Sequence, residues 1–215
     1  MIGANGATSC PGIALPSSEG AFSYFFRPAL ERAPSLFWFA RNYINPPFMN
    51  LWLQSDEGEQ EFDAHQIEVA VAEEQQESDA SGDGLLFRPP VLPAWANHVP
   101  DDWCEIHGLS GPETEALEIA RAFRRVQAHS GFKNPHADVW PTYELVENHA
   151  VLAFYCIDGF SWEIYSQDPH LLALTRRHVE SCGPSVIEDA LLATREEDRF
   201  GKHATPRPST NDSGS

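Results

Sequence analysis

Basic residues are scarce in this chain. Its 215 residues carry 14 Lys and Arg against 32 Asp and Glu, a formal net charge of −18 and a pI near 4.7. That balance opposes binding to nucleic acid or to an anionic membrane, because both repel a polyanion. Long apolar runs are also missing. None approaches the ~20 residues needed to cross a bilayer. The opening MIGANGATSCPGIALPSSEG has neither the basic start nor the apolar core of a secretory signal. Four cysteines, Cys10, Cys104, Cys156 and Cys182, complete a picture of a cytoplasmic protein with reduced thiols.

Catalytic fingerprints are missing too. There is no G-x-S-x-G elbow, no G-x-x-x-x-G-K-[ST] or G-x-G-x-x-G phosphate loop, no H-E-x-x-H and no calcium-loop spacing. No cofactor is expected. Two weaker patterns remain. Cys104-Glu-Ile-His107 has the C-x-x-H spacing of half a zinc site, but a structural site needs four ligands. His136 and Asp138 form an H-x-D pair, with His129 and His149 on either side. A histidine–carboxylate hydrolase, metal-assisted or not, would draw on His107, His136, Asp138 and His149. The preferred reading assigns no catalytic group and no metal, with these histidines in loops and at helix ends.

What is present suffices for a core: 42% of residues are hydrophobic and 11% aromatic. The expected architecture is α+β, a single domain over 21–200 in which an antiparallel sheet is covered by about three helices from the C-terminal half. Residues 1–20 read as a flexible leader and 201–215 as a disordered tail. The first half reads as strands at 35–44, 48–54 and 66–72, from β-branched and aromatic content and period-two alternation. Ala116, Ile119, Ala120, Phe123 and Val126 fall at helical spacing after Ser110-Gly-Pro-Glu. Asp158-Gly159 predicts a two-residue hairpin turn within 151–166, pairing Tyr155 with Trp162 on a wholly apolar face. Asp168-Pro169 starts a helix that ends at Gly183-Pro184. Ser185 and Glu188 have the spacing of a capping box for a last helix, with Ile187, Ala190 and Leu191 inward.

The most unusual stretch is 55–84, SDEGEQEFDAHQIEVAVAEEQQESDASGDG, with eleven carboxylates and no Lys or Arg. Asp56, Glu57, Glu59, Glu61 and Asp63 precede the expected strand at 66–72. Glu73, Glu74, Glu77, Asp79 and Asp83 follow it, in a loop over 73–84. The bland explanation is solubility. The functional one is a contact surface for a basic protein, with aromatic anchors such as Trp38 and Trp52. The resulting expectation is an acidic protein-binding module, of the inhibitor or immunity kind that neutralises a basic toxic enzyme such as a nuclease. An acidic mimic of nucleic acid is the remaining alternative.

Overall fold

A computed structural model describes residues 9–15, 22–42, 84–89, 92–93, 96, 104–126, 140–157, 161–183 and 187–193. The expected strands at 48–54 and 66–72, and the tail at 201–215, lie outside them. In chain order the elements are β1 (Ser9–Leu15), α1 (Phe22–Arg32), β2 (Phe37–Asn42), β3 (Leu85–Phe87), β4 (Cys104–Leu109), α2 (Glu113–Arg124), α3 (Trp140–His149), β5 (Ala150–Ile157), β6 (Ser161–Ser166), α4 (Pro169–Cys182) and β7 (Glu188–Ala193). The strands form one seven-stranded sheet in the order β3-β2-β4-β5-β6-β1-β7. Every pairing is antiparallel. The fold is α+β, as the residue pattern implied.

Helices cover both faces. Phe22, Phe25, Phe26, Ala29 and Leu30 of α1 and Leu171 and Val179 of α4 pack on Trp38, Ile106, Leu152, Phe154, Trp162 and Ile164. Ala116, Leu117, Ile119, Ala120 and Phe123 of α2, with Val146 of α3, pack on Phe39, Leu109, Ala153, Tyr155 and Tyr165 on the other side. The first layer is dense in rings: Phe22 and Phe26 lie 5.3 and 5.4 Å from Trp162 and 5.1 and 5.0 Å from Phe154, centroid to centroid. Such tilted and edge-on pairs add to area burial.

Several expectations are corrected. Residues 9–15 belong to no leader: β1 runs between β6 and β7, so the domain begins before residue 21. Residues 22–32 are helix, because Phe22, Phe25, Phe26, Ala29 and Leu30 recur every three to four positions. Residues 140–149 are helix as well. Residues 188–193, expected to be helical, form an edge strand on β1. Its backbone groups complete β1's ladder, and that tertiary demand outweighs local propensity. The hairpin at 151–166 exists, but Cys156, not Tyr155, opposes Trp162. Ile157 pairs Ser161, so three residues connect the strands rather than two. The one-residue slip turns Trp162 towards α1 and Tyr155 towards α2.

The helix at 168–182 conforms to expectation. The Asp168 carboxylate accepts from the backbone N–H of His170 at 2.8 Å and of Leu171 at 3.3 Å, and Leu171, Thr175 and Val179 are buried. Among the described residues no helix is long and apolar enough to cross a membrane.

Candidate functional site

His107 sits mid-strand in β4, opposite Phe39 and Ala153, and is fully buried. Phe123 of α2 stacks on its ring at 4.2 Å, and its Nε2 lies 3.2 Å from the Tyr155 hydroxyl. A histidine roofed in this way is closed to substrate. The C-x-x-H spacing runs along extended backbone, where a separation of three does not return to the same face. Among the described residues no group of three or more His, Cys, Asp or Glu is placed to share a metal ion. His149 ends α3 exposed to solvent, while His107 lies beneath α2. His136 and Asp138 lie outside the described residues.

Around His107 the sheet carries a buried polar row that the sequence did not single out. Arg41 opposes Glu105 across β2 and β4, and its Nε donates to Glu105 Oε2 at 2.5 Å. Its Nη1 donates to the carbonyls of Phe123 and Val126, at 2.9 and 3.2 Å, at the end of α2. One guanidinium thus neutralises a fully buried carboxylate and caps a helix C-terminus. Farther along, the Tyr165 hydroxyl donates to Glu163 at 2.8 Å. The only sequence signal was an arginine in an otherwise apolar strand, SLFWFARN. Arg41 bonds Glu105 and Tyr165 bonds Glu163 within this row, as in a structural network.

Two of the cysteines, Cys10 and Cys156, lie in the core. Cys10 is buried against α3, and its thiol is pushed up to about 12, by burial first and by the nearby Glu147 carboxylate second. Cys156 is buried in the core beneath α1 and α4.

Trp38, expected as a binding anchor, is fully buried and stacks on Phe154 at 6.3 Å. It belongs to the core. Trp52 and the acids Asp56, Glu57, Glu59, Glu61, Asp63, Glu73, Glu74, Glu77, Asp79 and Asp83 lie outside the described residues.

The strands on either side of the acidic stretch are described, and they are neighbours. β2 ends at Asn42 and β3 begins after Gly84, with Ala40 opposite Leu85. The chain therefore leaves and re-enters the sheet at one place. The return is tightly built. Gly84 has φ 106°, and a Cβ there would come within 2.8 Å of both the Ala40 carbonyl and the Phe39 ring. Its own carbonyl accepts from Arg124 Nε at 3.3 Å. Arg124 in turn lies 5.8 Å from the Phe39 ring centroid.

Charge divides unevenly about this point. The described residues hold 12 of the 32 acids and nine of the 14 basic residues, a net −3, so −15 of the total −18 falls on the remainder. In comparisons with protein-family models, curated proteins and solved structures, nothing matches this chain.

Proposed function

We propose that this protein is an acidic protein-binding module for a basic protein, acting as an inhibitor or immunity-type protein against a toxic enzyme such as a nuclease. The observation that supports this reading is the concentration of charge. Eleven carboxylates, uninterrupted by Lys or Arg, occupy 55–84, and the chain joins the sheet on both sides of them through the adjacent strands β2 and β3. Concentrated charge steers an oppositely charged partner better than the same charge spread evenly. Of the residues the enzymatic alternative would draw on, His107 is buried and closed to substrate.

The test is affinity capture from the source cells at low salt, followed by kinetics on the captured protein. Neutralising Asp56, Glu57, Glu59, Glu61 and Asp63 to the amides, and separately Glu73, Glu74, Glu77, Asp79 and Asp83, probes each half of the stretch. The expected partner has a pI above about 9. Its on-rate falls with salt and with at least one neutralised set, while the off-rate changes little. Unchanged association of both variants at low salt reduces the acidic stretch to a solubilising segment.

A further inference from the structure

A second feature has the opposite charge. α1 and α4 run antiparallel: Tyr24, at the start of α1, meets His178 and Cys182 near the end of α4. The end of α1 therefore lies beside the start of α4. There a groove of about 620 Å³ opens, lined by Leu36, Val151 and Leu174 together with Arg32, Arg177, Asp168 and His170. That volume is in the range of small-molecule sites.

The two arginines are the informative part. Arg41 and Arg88 are held by carboxylates, Arg176 pairs with Asp189, and Arg124 donates to a carbonyl. Arg32 and Arg177 have no hydrogen bond and no ion pair among the described residues. In a chain with more than twice as many acids as bases, two guanidiniums converging on one cavity are unexpected, whereas Arg125 is likewise exposed but is not among the groove's lining residues. Asp168 also lines the groove; its Oδ1 accepts from the N–H groups of His170 and Leu171, and its charge leaves the two arginines in excess by one.

We infer that this groove binds a small organic anion, its carboxylate or phosphate group held by Arg32 and Arg177 and its apolar part resting on Leu36, Val151 and Leu174. Guanidinium is suited to both anions, since its paired N–H donors match their oxygens. The apolar lining residues offer nothing to a bare inorganic ion.

The experiment titrates the full chain with four probes, phenyl phosphate, hexanoate, inorganic phosphate and benzyl alcohol, and follows backbone amide shifts. One organic anion should bind at least about tenfold more tightly than benzyl alcohol, with the largest shifts at Leu171, Leu174 and Arg177. A preference for phenyl phosphate assigns a phosphate monoester, and one for hexanoate a carboxylate. Arg32→Gln and Arg177→Gln should each weaken binding about tenfold, as loss of one charge-assisted bond does. Arg125→Gln, an exposed arginine on another helix end, should leave it unchanged. Both groove arginines are exposed, so the amide spectrum away from α1 and α4 should not move. Equal binding of benzyl alcohol, equal binding of inorganic phosphate, or indifference to both substitutions overturns the inference. Displacement of the anion by a peptide of sequence 55–84 overturns it too, by assigning the groove to the chain's own acidic segment.

Discussion

Pro28 and His178 form one unit, although 150 positions separate them. Pro28 lies inside α1 and has no N–H, so the carbonyl of Tyr24 four residues earlier loses its helical donor. His178 of α4 supplies the replacement, with Nε2 2.8 Å from that oxygen. The bond fixes the crossing of the two helices that border the cationic groove. His178→Ala should cost about 0.5–1 kcal/mol in the native background. In a Pro28→Ala background the N–H returns and the same substitution should cost close to nothing. A double-mutant cycle by urea denaturation reads this difference. Equal costs in both backgrounds would mean that His178 does not substitute for the missing donor.

At the scale of elements, β1 is the decisive piece. It joins the β6 edge to β7, so without it β7 loses its partner and β6 keeps only β5. Gly12 shows how closely it fits: a Cβ there would strike the Ile164 carbonyl and the Tyr165 ring. Backbone cannot swing aside as a long side chain can. Gly12→Ala should therefore destabilise the protein by about 1–3 kcal/mol, the usual cost of overpacking. A denaturation midpoint unchanged from wild type would return residues 9–15 to the status of a leader. The β5–β6 hairpin teaches a related point. Both of its faces are buried, so alternation of apolar and polar residues cannot set the register. The connection length sets it, and a single residue reverses every facing.

For the whole molecule, the net charge of −18 is a repulsive term acting on a fold whose described part is almost balanced. The exposed pairs Arg88–Glu113 and Arg176–Asp189 work in the other direction, but such pairs contribute little. Screening should then stabilise more than it weakens. Between about 0.01 and 0.15 M salt the screening length drops from about 30 to about 8 Å. The thermal midpoint should rise by about 2–4 °C over that range, corresponding to roughly 1 kcal/mol for a chain of this size. A falling midpoint in calorimetry would show that ion pairs, not repulsion, dominate the electrostatics.

The sequence by itself determined what depends on composition and on local pattern. The α+β class, the helices at 113–124 and 169–182, the Asp168 cap and the existence of a hairpin between 151 and 166 were all readable there. Spacing of apolar residues and cap chemistry act within a few positions, so they survive in a linear text. The helical spacing of Phe22, Phe25, Phe26, Ala29 and Leu30 was equally legible. Tertiary structure alone decided the rest. Ser9–Leu15 and Glu188–Ala193 became strands because each completes the other's hydrogen-bond ladder, a demand no window of residues contains. Arg41 met Glu105 because β2 and β4 are neighbours in a particular register. His107 and Trp38 changed from candidate functional residues to core because helices cover both faces of the sheet. Arg32 came to face the same groove as Arg177 only when α1 packed antiparallel to α4, since their proximity depends on a contact between distant parts of the chain.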